Sequence, residues 1–163
     1  MKSLGLEVLE QIEEVSIDLW IVYKTLILEL MPNAQIVGDR FHVMKQINEE
    51  LDARRKKYKR EAEKIKNKRE REEKLEGLKN RKYPLLKKKE NLNEREKEKL
   101  KEIKKVAPEL IKIDEEKEGW RDIFESEITG DEALDKIAEW MKSAQKYLPE
   151  SCKTIRVWLD EIL

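Results

Sequence analysis

Val15-Ser16-Ile17-Asp18-Leu19-Trp20, followed by Ile36-Val37-Gly38-Asp39-Arg40-Phe41-His42-Val43, is the stretch that decides the fold. Val15 and Ile17 are β-branched and bounded by polar residues, which predicts a short buried strand over Val15–Asp18. Ile36 and Val37 repeat the pattern in a strand over Gln35–Gly38. Between them, Leu19 to Leu30 carries apolar residues on nearly every turn, and Pro32-Asn33 closes it. The reading is strand, helix, strand, with an aspartate at the carboxyl end of each strand, where α/β folds tend to place ligands. No other clear strand exists in the chain. Two parallel strands and one crossover helix cannot bury both faces of a sheet, so the unit reads as cut from a larger one.

The rest of the chain is helical in pattern and heavily charged. Charged residues make up 44% of the 163, against about 25% in an average soluble domain. The formal net charge of zero hides an uneven distribution. Residues 1–53 hold 4 basic and 10 acidic side chains, residues 54–105 hold 24 and 11 for a local net of +13, and residues 106–163 hold 8 and 15. A basic arm is thus flanked by two acidic regions. The single cysteine, Cys152, excludes an internal disulfide and a thiolate cluster, and fits a reducing compartment. With no signal sequence and no run of about 18 apolar residues, the expectation is a soluble cytoplasmic protein that does not engage a membrane.

Toward the N-terminus, Leu4, Val8 and Ile12 recur every four residues, as one face of a short helix. Within the crossover helix, Trp20 and Tyr23 are placed by their spacing against the sheet, with base stacking as the alternative role. From Phe41 a new helix carries Phe41, Met44, Ile47 and Leu51 on one face. Residues 54–82 keep only sparse apolar anchors (Tyr58, Ala62, Ile65, Leu75, Leu78), as in a long solvated helix or a helical hairpin. Tyr83-Pro84 is expected to interrupt it, with a lysine-rich loop over Leu85–Asn91. Asn93 with Glu96 and Thr129 with Glu132 are capping boxes that open new helices. Pro108 predicts a break near Ala107. The helices after it show apolar faces through Ile113, Trp120, Ile123 and Phe124, then Leu134, Ile137, Ala138 and Met141, then Ile155, Trp158, Leu159 and Ile162. The fold class is therefore α+β and predominantly helical, with a partial α/β unit over 1–44 and a helical region over 45–163. Within the latter, 45–105 forms the charged arm and 106–163 the smaller helices.

Asp18 and Asp39, at the ends of neighbouring strands, have the oxygen chemistry that holds magnesium or manganese for phosphoryl transfer. The alternative is that they cap the helices that follow. His42, the only histidine, excludes a multi-histidine zinc site. It either orients a carboxylate at the strand–helix junction or fills the first helical turn. In the arm, Arg54, Arg55, Lys56, Lys57, Lys59 and Arg60 can pair with phosphates, with salt-dependent affinity. Interspersed glutamates could equally satisfy them on a solvated helix.

Asp18-Leu19-Trp20, then Tyr23, Pro32-Asn33-Ala34 and Asp39-Arg40-Phe41-His42-Val43 closely resemble bacterial insertion-sequence transposases of the ISL-three family. The resemblance runs on through Lys45–Asp52, the arm, Trp120–Phe124 and Thr154–Trp158, from about residue 10 onward. It implies a DDE catalytic domain with a ribonuclease H-like fold, the strand–helix–strand piece being a remnant of that sheet and the helices an insertion. It implies Mg2+- or Mn2+-dependent cleavage and transfer of DNA strands by three acidic residues. Asp18 matches the second of them, Asp39 being the alternative, and Asp39 with His42 matches an Asp-x-x-His motif near the site. Gly38 stands where the family usually has alanine. The first aspartate and the final glutamate have no counterpart here, so the expectation is a central, catalytically inactive fragment. Its implied partners are transposon or other DNA and, among proteins, a second copy or a complete transposase. The rival reading is a non-catalytic helical module that binds DNA or protein and regulates a complete transposase.

Overall fold

The computed structural model describes residues 5–163, so Leu4 of the expected N-terminal face lies outside the described residues. These residues pack as two compact units, one of the described residues up to 43 with 153–163, the other of residues 44–152.

In the first unit, α1 (Leu6–Leu9) precedes β1 (Glu14–Ile17), α2 (Ile21–Leu30) and β2 (Gln35–Gly38). The strands are parallel, with Glu14 opposite Gln35 and Ile17 opposite Gly38. The ladder is extended at both ends, by Gln35 N–H donating to Glu13 O and Asp39 N–H donating to Ile17 O. The fold is α+β and mostly helical, as the sequence pattern predicts. At the C-terminus, α10 (Leu159–Ile162) lies against β2. Lys24 of α2 pairs with Glu161 and stands 5.2 Å from the centre of the Trp158 ring, tying α2 to α10. Gly38 suits this approach, since a Cβ there would lie 3.0 Å from a Leu19 methyl and 3.3 Å from the Glu161 carbonyl oxygen. An alanine methyl would have to push both aside.

Three expectations for this unit fail. β1 is not buried: Val15 and Ile17 are half-covered, and Glu14 and Ser16 are exposed. Trp20 and Tyr23 do not pack against the sheet; they are 54% and 44% exposed and meet each other edge to face at 4.8 Å. Of α2 only Ile27 is buried, and Ile21, Val22 and Leu28 face solvent. Two four-residue strands are too narrow to cover an apolar helix. Phe41 is exposed as well; the buried line on the helix that follows runs instead through Val43, Ile47 and Leu51, one helical turn apart.

That helix, α3 (Arg40–Glu63), continues into the second unit, followed there by α4 (Lys68–Leu78), α5 (Lys82–Leu86), a 3-10 turn (Lys89–Asn91), α6 (Glu94–Val106), α7 (Pro108–Glu125) and α8 (Gly130–Tyr147). The arm is therefore hinged, not one long rod. Asn67 caps α4 by accepting from the Glu70 amide, and α4 packs back on α6. Pro84 does not break a helix. It sits in the first turn of α5, where a missing N–H costs nothing. Pro108 does part α6 from α7 and occupies the first position of α7.

Both capping boxes form. Asn93 and Glu96 exchange hydrogen bonds of 2.9 and 3.0 Å, and Thr129 and Glu132 do the same at the start of α8; such caps contribute about 1 kcal/mol each. The backbone amide of Asn93 and then Lys87 hold the Glu96 carboxyl below its usual value, and Thr129 does so for Glu132. Their contribution is complete above the ordinary glutamate value and fades as the pH falls through the lowered one. Ile103, Leu110, Ile113, Trp120, Ile137 and Leu148 form the core of this unit, all but closed to solvent. The final helix of the pattern divides into α9 (Pro149–Val157) and α10, parted at Trp158.

Candidate functional site

The ends of β1 and β2 bring Asp18, Asp39 and His42 together. Because the strands are parallel neighbours in register, the residues just past them emerge side by side on one edge. His42, in the first turn of α3, reaches both carboxylates. Its Nε2 lies 2.9 Å from Asp18 Oδ1 and its Nδ1 lies 3.3 Å from Asp39 Oδ2. The latter approach is not aligned as a hydrogen bond, and Nδ1 is shut off from solvent. The imidazole is largely enclosed, whereas the Asp18 side chain is 62% exposed.

The two aspartates are not equivalent. Asp39 Oδ1 accepts from the Phe41 amide at 2.8 Å, so this carboxylate caps α3. Asp18 has no such duty. The cap position of α2 is Trp20, which makes no side-chain cap bond, and the Asp18 carbonyl accepts from the Trp20 amide at 2.6 Å. Helix capping thus engages the Asp39 carboxylate and not that of Asp18. Asp18 is the carboxylate that is not taken up as a helix cap, and His42 approaches it.

A family model described as Transposase, of the ISL-three DDE type, matches residues 1–163, the whole chain. The chain belongs to this transposase family. No curated protein and no solved structure matches it.

DDE transposases work with a divalent metal, and the donor chemistry of Asp18 and Asp39 suits a hard cation. Their arrangement does not. The imidazole ring stands between the two carboxylates, one on each of its nitrogens, and among the described residues no three His, Cys, Asp or Glu side chains gather as a metal site. The described residues therefore do not make a metal centre by themselves. Nor, among them, is any helix long and apolar enough to cross a membrane.

Of the six basic residues singled out in the arm of the transposase, four are paired with acids. Arg54 pairs with Glu109 at 3.5 Å, Arg55 and Lys56 with Asp52 at 2.8 and 3.0 Å, and Lys57 with Glu61 at 3.8 Å, while Arg60 donates to the Lys56 carbonyl. Of the six residues singled out in the sequence, Lys59 alone makes none of these contacts. Burial works to raise the Asp52 carboxyl, but the bonds from Arg55 and Lys56 outweigh it and hold the group below its usual value. Tyr58, which donates to Glu109, is pushed up to about 12, by burial first and then by that carboxylate. The phenol therefore favours the fold below its ordinary value of about 10, and the contribution is lost as the pH climbs through about 12. Sequence reasoning missed the Lys24–Glu161 pair, because residues 137 apart carry no periodic signal.

Proposed function

We propose that the chain serves DNA transposition as the part of a DDE catalytic domain that carries one acidic corner. In this reading Asp18 is the inherited metal-ligating carboxylate and His42 the group that orients it, while Asp39 anchors the helix on which His42 rides. The observation that carries it is the exposed Asp18 carboxylate at a parallel strand end, free of capping duty and 2.9 Å from His42. The sheet is read as part of a ribonuclease H-like sheet. Parallel strands occur almost only with both faces covered, and here the apolar side chains of α2 stand exposed. That uncovered face also supports association with further protein, whether a second copy or a complete transposase. DNA is the substrate, held through salt-dependent phosphate contacts from the arm.

With two carboxylates separated by an imidazole, the chain alone is not competent to cut DNA. The test is incubation with supercoiled plasmid in millimolar MgCl2 or MnCl2, followed by gel analysis. The expected result is DNA retarded at low salt and no nicked product. Nicking that disappears in Asp18→Asn would overturn the assignment of incompetence, and absence of any DNA binding at low salt would overturn the DNA reading.

A further inference from the structure

In the second unit a cleft of about 1120 Å3 opens beside α4 and the turn from Lys79 to Pro84. Its lining combines two chemistries. One is apolar: half-buried Leu75 lines it together with the buried Leu78 and Pro84, and Tyr83 stands 77% exposed. The other is cationic, with six Lys and Arg side chains against four carboxylates. Three of those carboxylates have lysine neighbours, Glu76 at 3.6 Å from Lys79, Glu96 at 2.9 Å from Lys87 and Glu72 at 3.9 Å from Lys68. Lys59 and Lys82 are exposed, with no carboxylate at ion-pair distance among the described residues, and Lys99 approaches Glu96 without pairing with it.

The turn that bears Lys82 and Tyr83 is fixed. Asn80 adopts the left-handed region, φ 52°, a conformation that asparagine tolerates better than most residues. Next to it Arg81 is buried, donating to the Gly77 carbonyl at 3.1 Å and pairing with Glu102. The exposed phenol ring thus stands two residues from a buried, doubly bonded Arg81.

We infer that this cleft binds a single-stranded segment of nucleic acid, a base lying against Tyr83 and the apolar lining and the phosphates meeting Lys59, Lys82 and Lys99. Duplex DNA keeps its bases stacked and paired and so offers the ring no base face to lie against. An unpaired strand offers a π-face and a phosphate at the spacing of one nucleotide, the combination that sequence-tolerant single-strand binders use. The inference rests on the reading of DNA as substrate and is independent of the Asp18 centre.

The experiment is fluorescence anisotropy of a labelled oligothymidylate and of a labelled duplex, with EDTA present so that no metal chemistry contributes. For the oligothymidylate, Tyr83→Ala should weaken binding roughly tenfold, as loss of one stacked base does, and Tyr83→Phe should preserve it. For the duplex, Tyr83→Ala should change nothing. Lys59→Ala with Lys82→Ala should flatten the salt dependence of single-strand binding by about 0.7 in slope per lost phosphate contact. Since Tyr83 is exposed, an unchanged circular dichroism spectrum is expected for both of its variants. Unaltered single-strand affinity in Tyr83→Ala, or an equal loss for duplex, would overturn the cleft while leaving the DNA reading intact. Absence of all DNA binding would overturn both.

Discussion

Lys117→Ala should unfold at a urea concentration well below that of the parent chain, with a loss of about 3–5 kcal/mol, as for breaking a buried ion pair on one side. Lys117 in α7 is fully enclosed. Its ammonium lies 2.7 Å from Asp114 and 3.3 Å from Glu118, and donates to the carbonyls of Leu85 and Lys87 at 2.5 and 3.1 Å. Glu118 in turn accepts from the Lys89 amide, so the group fastens the segment after α5 to the middle of α7. Removing the ammonium leaves the Asp114 carboxylate and two carbonyls without their cation, while Glu118 keeps as cation only the more distant Arg121 at 3.9 Å. For a domain stable by about 5–15 kcal/mol, that is a large share of the total.

The pH dependence of this variant follows from Asp114. Burial raises its carboxyl above the ordinary aspartate value, against the opposing pull of Lys117. Its contribution is therefore complete below the ordinary value and is lost as the pH rises through the raised one. Without Lys117 that opposing pull is gone and the group rises further. The deficit of Lys117→Ala should thus be greatest near neutrality and shrink as acid protonates Asp114. Urea titrations at a series of pH values read this directly, and a deficit that does not vary with pH would contradict the arrangement.

The second large effect is at Trp120. Trp120→Ala should cost about 3–5 kcal/mol, the range for removing a buried tryptophan from a core. Trp120 is 1% exposed and meets Trp140 at 5.0 Å and Phe124 at 4.7 Å between ring centres, both tilted. Trp140 of α8 lies over Gly119, where a Cβ would stand 3.2 Å from its ring, and donates from Nε1 to the Glu116 carbonyl at 2.8 Å. That hydrogen bond survives the substitution, so the α7–α8 pair should loosen without parting. Near-UV circular dichroism should lose its coupled-tryptophan signal while far-UV helicity is retained. Trp120→Phe, which keeps a ring in the site, should recover part of the stability. A thermal midpoint unchanged in Trp120→Ala would show that the α7–α8 contact is not where this unit holds its stability.

Local patterns in the sequence were legible wherever one residue type has one physical use. The β-branched pairs at Val15/Ile17 and Ile36/Val37 mark the strands, Asn93 and Thr129 mark helix starts, and Pro108 marks a boundary. Failures came where tertiary context decides. Leu134 belongs to the apolar face of the pattern but is exposed, because α8 is rotated to present Ala133, Ile137, Trp140 and Ala144. Lys117 could not be told from a surface lysine, since Asp114 and Glu118 look like ordinary helical ion-pair partners. At the site, the two aspartates and the histidine were evident from strand ends and spacing. Their unequal roles were not, because only the geometry shows which carboxylate is taken up as a helix cap.

The most direct measurement is nitrogen-15 NMR of the imidazole of His42, which as the only histidine gives one pair of ring resonances. Asp18→Asn should move the Nε2 resonance and leave α3 intact, and Asp39→Asn should move Nδ1. Ring resonances that ignore both substitutions would mean that the two carboxylates and the imidazole do not form one centre.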